Sequence, residues 1–380
     1  GKEVGRKWQI PLNGNYETVP KIMAEKSITL GDYAKLREEN GKPFRLNVGN
    51  DSHFIVKYDE TLLKDILDNV EALDDISKLQ ILQDLRLLAE GRQISYAKVV
   101  PLLPQFANSK SNVVNVALYQ VAGNLRKFAT PKSDEERAVQ AFYDKLSADQ
   151  VARLGWKPKS DESNDDQLNR PYALGATLYA KNADSIAAAH EIFVANKDQL
   201  ASLPADTRVF ILLNEVKNFG SQELFDQLLK QHHQTSDSSY KEAICAALTS
   251  TPDAKLIAQL IAKFEDADTI KPQDLRAWFR GVLANEDGQQ AAWDWLRNDW
   301  QWLEDTVGGD MEFTTYITVI AGIFHTPERL AEFKAFFEPK LNTPGLTREI
   351  TMDTKVIESR VALIEAEKDS VNAAVAKVVD

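Results

Sequence analysis

The spacing of apolar positions changes near residue 59. Before that point the period is two. Phe44, Leu46 and Val48 alternate with Arg45 and Asn47, residues 49–52 supply turn chemistry, and Phe54, Val56 and Tyr58 alternate again. That pattern predicts a hairpin. Residues 8–12, broken by Pro11, suit an edge strand, and residues 27–30 a second one. After residue 59 nearly every segment has helical spacing. Leu79, Leu82, Leu85 and Leu88 mark one face, with Gly91 placed to end the helix in a left-handed conformation. Ser133 and Glu136 have capping-box spacing, Ser147 and Gln150 repeat it, and Gly155 closes the second of these helices. Pro171, Pro204, Pro272 and Pro327 each open an apolar-periodic run, where a missing amide costs nothing, and Gly220 ends the run from Pro204. Residues 157–167 read as a polar, acidic loop.

The stretch 291–303 shows how such helices are arranged. At about 100° per residue, Trp293, Leu296, Trp300 and Leu303 share one stripe, while Trp295 and Trp302 lie opposite. Two apolar stripes predict a helix held between two neighbours, as in a stacked array. Consecutive helix pairs span roughly 40 residues, close to the length of a HEAT or armadillo unit. The expected architecture is therefore mainly α. A partial β-sandwich over residues 1–59 precedes a HEAT/armadillo-like helical solenoid, an α-α superhelix, over residues 60–380.

Composition narrows the functional classes. The chain has 380 residues and a formal net charge of −12, a balance that argues against nucleic acid and membrane partners. A single cysteine, Cys245, rules out an internal disulfide and suits a reducing, cytoplasmic setting. No run approaches the length of a membrane-spanning helix, and no signal peptide is visible. The first residue is Gly1 and not Met, which suggests a piece of a longer protein.

Candidate chemistry is sparse. His190 and Glu191 begin a zinc-type H-E-x-x-H pattern, but the second histidine position is Val194, so His190 reads as a packed or boundary residue. His232 and His233 point about 100° apart and read as a solvated helix end, and His53 and His325 are isolated. Cys245 lies in an apolar helical run and reads as a buried, inert thiol. No phosphate loop or nucleophile elbow occurs. Arg276 and Arg280, four apart after Pro272, share a face suited to a peptide carboxylate, although a salt-bridged or solvated face is the commoner reading.

Several segments, in order, resemble the aminopeptidase N family of gluzincin zinc aminopeptidases, especially those of lactic acid bacteria. Residues 54–59, ending in Tyr58 and Asp59, resemble the strand leading from the family's β-domain into its helices. Residues 79–91 resemble the following L-l-x-D-x-x-x-L-A-x-x-G helix. Leu154, Gly155 and Trp156, then Glu162 and Arg170, resemble an L-G-W…E…R segment. Lys271 to Asp274, Asn285, Gly288, Trp293, Asn298 and Trp300 resemble R-x-Q-D…N-x-x-G…a-W…N-W, continued by Gly308, Gly309 and Phe337. The resemblance implies the C-terminal portion of such an enzyme, the end of the β-sandwich plus the helical cap. The family's zinc ligands and general base lie in a domain this chain does not contain. Residues 309–313 echo its G-x-M-E-N substrate motif, but end in Phe313 and follow His190, the reverse of the family order.

The expected function is thus a non-catalytic cap that encloses the active site of a peptide-trimming enzyme and controls peptide access, with an acidic concave face. No catalytic residue and no metal ligand is expected here. Zinc would belong to the parent, and the partners would be the parent's catalytic domain and peptide substrates. Arg276 and Arg280 are the candidate peptide-binding residues. The alternative is a free-standing helical-repeat scaffold that binds protein or peptide partners.

Overall fold

A computed structural model describes residues 8–309 and 313–380. The stretch 8–59 is held together mainly by loops. Two two-residue strands, β1 (Ile10–Pro11) and β2 (Ile22–Met23), pair antiparallel, and α1 spans Tyr33–Asn40. The expected hairpin over residues 44–58 is not formed, and residues 27–30 are not a strand. Other groups satisfy that backbone. Asn47 and Val48 donate to the carbonyls of Leu12 and Asn13, at 2.8 and 2.9 Å. The buried Asn47 side chain closes the turn by bonding both backbone groups of Ser52, each at 2.9 Å. The alternation there reflects docking onto a helix, not pairing with a strand.

From Asp59, which caps α2 (Glu60–Asp68) by accepting from Leu62, the chain is helical. The first group is α3 (Asp75–Glu90), α4 (Tyr96–Val99), α5 (Asn112–Gly123), α6 (Asp134–Leu154) and α7 (Asn164–Tyr179). The second is α8 (Ala183–Asn196), α9 (Ala205–Phe219), α10 (Gln222–Gln234), α11 (Ser238–Leu248) and α12 (Ala254–Ile261). The third is α13 (Pro272–Ala284), α14 (Gln289–Asn298), α15 (Trp300–Val307), α16 (Thr315–Ile323), α17 (Pro327–Phe337) and the long α18 (Thr347–Val379). Helices two apart stack in series: α3 on α5, α5 on α7, α7 on α9, α9 on α11 and α11 on α13. The row continues through α16 to α18, with α8, α10, α14 and α17 packed against it. This is the two-layer stacked plan that the apolar stripes predict.

Several boundaries differ from expectation. Gly91 has φ −79°, and it is Arg92, at φ 57°, that takes the left-handed turn. Ser147 and Gln150 do not start a helix; both lie inside α6. Ser147 Oγ donates to the Tyr143 carbonyl at 2.8 Å, and Gln150 Nε2 donates to Ala107 and Ser109 carbonyls at 3.1 and 2.7 Å. Buried polar residues in a helix can mimic a cap in sequence when their partners come from a neighbouring turn. Pro171 is inside α7, whereas Pro272 and Pro327 open α13 and α17 and Pro204 caps α9. The stretch 291–303 divides between α14 and α15 at Asp299, yet both stripes are buried, with Trp293 and Leu296 at 0 % exposure and Trp295 at 7 %.

The buried side chains form two clusters. One runs from Ile66 to Leu146 and takes in Ala176 of α7 and Leu363, Val371 and Val375 of α18; the other runs from Phe193 to Val361. One helix therefore belongs to both. Along it, Arg360 Nη1 donates to Ala321 and Phe324 carbonyls, at 2.5 and 2.8 Å, at the end of α16. Glu367 accepts from Ser95 Oγ and Tyr96 N, at 3.0 and 2.8 Å, at the start of α4.

Candidate functional site

A concavity lies along α11, α13 and α16, a groove of about 1050 Å³. Sequence explains why these helices come close. Asp237 caps α11 by accepting from Tyr240, and Ala243, Ala246 and Ala247 keep that helix slim. A Cβ on Gly281 would lie 2.3 Å from Thr249 Oγ1, so only glycine allows α13 this approach to α11. Asn285 Nδ2 then donates to Thr249 and Thr251 carbonyls, at 3.0 and 2.7 Å, fixing the C-terminal ends of α11 and α13 together. Arg276, early in α13, donates to Thr315 Oγ1 at the start of α16, at 3.0 Å. The three helices thus run parallel, and their N-terminal ends, where backbone dipoles are positive, share one end of the groove.

The floor is apolar and closed. Trp278 is 1 % exposed, and His232 meets its indole edge-on at 5.0 Å. His232 is therefore buried and not the solvated residue that its helix-end position suggests. Burial, with Lys241 nearby, holds its pKa below the usual histidine range. Burial pushes the Cys245 thiol up to about 12, with Asp274 and Glu242 adding to the effect. Such a thiol carries almost no thiolate at neutral pH and is not a nucleophile.

The rim carries the charge. Lys241, Lys271, Arg276 and Arg280 line it, against Glu242 and Asp274. Both arginines singled out from sequence fall on this one lining. Lys241 had no local signal, because it meets the others only through the stacking of α11 on α13. Lys271 lies in the segment that resembles R-x-Q-D. Among the described residues the lining is cationic, not acidic as the resemblance suggests, in a chain whose net charge is −12.

The remaining histidines offer no metal chelate. His190 Nδ1 bonds Glu215 Oε2 at 2.8 Å and its ring stacks on Phe219 at 3.9 Å, while Val194 points outward, 52 % exposed. His325 Nδ1 is 2.9 Å from the Ile323 carbonyl oxygen. Among the described residues no group of three or more His, Cys, Asp or Glu could hold a metal ion, so they do not fit the zinc the resemblance implies for the parent. Asp310, Met311 and Glu312 of the G-x-M-E-N echo lie outside the described residues; Phe313 is buried against Trp300 at 5.1 Å. No described helix is long and apolar enough to cross a membrane.

Most residues shared with the resembling segments prove structural. Asp84 Oδ2 accepts from Val56 N at 3.2 Å and Gln80 Nε2 donates to the Leu46 carbonyl at 3.2 Å, so α3 holds the preceding loop segment. The Tyr58 hydroxyl accepts from Leu46 N at 3.0 Å. Arg170 is fully buried, ion-paired to Glu162, and donates to the Gly155 carbonyl at 3.2 Å beyond the end of α6.

Known proteins bear on the same residues. A family model described as the ERAP1-like C-terminal domain matches residues 44–359. The chain is 62% identical over 380 residues to an aminopeptidase N of Lactobacillus helveticus, covering 100% of the chain and 45% of that protein. It is 55% identical over 376 residues to an aminopeptidase N of Lactobacillus delbrueckii subsp. lactis, covering 99% and 44%. Aminopeptidase M1 of Arabidopsis thaliana matches at 24% identity over 336 residues, covering 86% and 38%. The chain spans less than half the length of these relatives.

Proposed function

The chain belongs to the ERAP1-like C-terminal domain family and corresponds to the C-terminal region of aminopeptidase N, and from this we propose that it is the peptide-receiving cap of a cytoplasmic enzyme that releases N-terminal residues from peptides. The groove along α11, α13 and α16 is the observation that carries the reading. Its volume is at the upper end of small-ligand sites and suits an extended chain. Arg276 and Arg280 are assigned to carboxylates of the peptide, the one at its C-terminus among them, since guanidinium forks pair well with carboxylates. The cap's partner in this reading is the catalytic part of the parent. Zinc belongs to that part, where it would activate the attacking water. No residue described here is given a role on the metal.

Binding and turnover measurements on the purified chain test the proposal. Peptides with a free C-terminus should bind more tightly than their amides, and Arg276→Ala with Arg280→Ala should erase that difference. The chain alone should not hydrolyse aminoacyl anilides. Zinc-dependent turnover by the chain, or equal binding of acids and amides, would overturn the assignment.

A further inference from the structure

The cations on the groove are spaced along it, not gathered at one end. Lys271 caps α13 at the end where the three N-termini meet, Arg276 follows, and Arg280 lies one turn further on. Lys271 and Arg280 are nine residues apart, which is roughly 13 Å of helix at 1.5 Å per residue. An extended peptide rises about 3.3 Å per residue, so roughly four of its residues cover the same length. Lys241 adds a positive charge from the facing helix, and among the described residues the acids on the lining are Glu242 and Asp274. A peptide carboxylate held at the N-terminal end, where dipoles and Lys271 both favour an anion, brings the side chain about four residues upstream under Arg280.

Resting on the peptide-cap reading, we propose that this groove selects extended peptides with an Asp or Glu about four residues before a free C-terminal carboxylate. Within that reading the pair divides: Arg276, with Lys271 at the same end of the groove, holds the C-terminal carboxylate, and Arg280 reads the acidic side chain. The selection operates on the body of the peptide, far from the N-terminal residue that the parent would remove. Arg280 is exposed, so the pairing is screened by salt and of modest strength.

Fluorescently end-labelled peptides of equal length, titrated against the 380-residue chain, test it. They carry Glu, Gln or Lys at the fourth residue before the C-terminus, or Glu shifted by one position, each as free acid and as amide. Glu should bind roughly two- to five-fold more tightly than Gln, and Lys more weakly than Gln. The advantage should shrink as salt is raised, and Arg280→Glu should reverse the order to favour Lys. Equal binding of the Glu, Gln and Lys peptides, with free acids still ahead of amides, would overturn the selectivity while leaving the cap reading intact. An equal Glu advantage at the shifted position would also overturn it. Failure of every peptide to bind would remove both.

Discussion

Between residues 66 and 146 the buried side chains are mostly Leu, Ile, Val and Ala, with Tyr96, Phe106, Phe128, Phe142 and Tyr143 as the aromatic ones. Between residues 193 and 361 Trp278, Trp293, Trp295 and Trp300 are buried among Phe264, Phe279, Phe313, Phe324, Phe333 and Phe337. Many of these rings meet edge-on or tilted, as Trp293 does with Phe324 at 5.2 Å and Phe264 with Trp295 at 5.0 Å. The aromatic region carries the groove, and Trp278 is at once core and groove floor. The aliphatic region carries the joint to residues 8–59. Between them the seam is mixed: Gln150, Asn169, Arg170, Thr177 and Ser185 are buried there beside Leu154, Ala173, Leu174 and Ala189. A stack whose layers touch mainly their neighbours melts layer by layer unless something spans them. Here α18 is that span, since its first half packs into the aromatic core and its second half into the aliphatic one.

Removing α18 beyond Arg360 is the strongest way to break this arrangement. The first core would lose Leu363, Val371 and Val375, worth roughly 5–9 kcal/mol at 1.5–3 kcal/mol per buried side chain. The Glu367 cap on α4 and the bond from Asn372 Nδ2 to the Phe128 carbonyl, at 2.9 Å, would go too. Calorimetry should show one transition in the 380-residue chain and two in the shortened one, with the aliphatic region melting first. A single transition in the shortened chain would mean that the seam alone couples the halves.

The seam itself is tested by Arg170. Its guanidinium and the Glu162 carboxylate are both almost fully buried, so Arg170→Ala would strand a buried charge at a cost of about 3–5 kcal/mol. Replacing the pair together, by Arg170→Met with Glu162→Leu, should recover much of that loss. The recovery should be incomplete, because Arg170 also donates to the Gly155 carbonyl. Urea unfolding of the three chains separates the two contributions; full recovery in the double variant would show that the carbonyl contact contributes nothing.

These differences also mark what could be read from sequence. The aromatic stripes at 291–303 announced a helix buried on both sides, because a side chain's face follows from its spacing alone. The break at Asp299 did not show, since no proline or glycine stands there. The expected hairpin failed for a related reason. Alternation over residues 44–58 records which side chains face inward, but not whether the facing partner is a strand or α3. Arg276 and Arg280 were legible as a pair because one helix presents both. Lys241 was not, because only the stacking of α11 on α13 brings it to the rim. The close approach depends on Gly281, whose role is invisible until Thr249 is seen beside it.

The joint to residues 8–59 offers the smallest effect, and one with a sign. Asp84 is 8 % exposed, and burial pushes its pKa up to about 6, against bonds from Val56 N and Gln80 that oppose the rise. Its folded pKa is thus above the unfolded value near 3.9, so the folded state binds the proton more readily. Its contribution favours folding at low pH and is lost as pH rises through about 6. Between roughly pH 4 and 6 this amounts to about 2–3 kcal/mol. Asp84→Asn keeps an oxygen that can accept from Val56 N and removes the charge. At neutral pH it should therefore leave the chain as stable or somewhat more stable, and it should flatten this part of the pH profile. Hydrogen exchange at Leu46 and Val56 reports the joint directly, because Leu46 N donates to Tyr58 and Val56 N to Asp84. In the native chain, protection of Val56 should rise as pH falls from 7 to 5 once intrinsic exchange is corrected, and in Asp84→Asn it should stay level. A fall in protection on acidification would mean that the ionised carboxylate, not the neutral one, is the form that holds the joint.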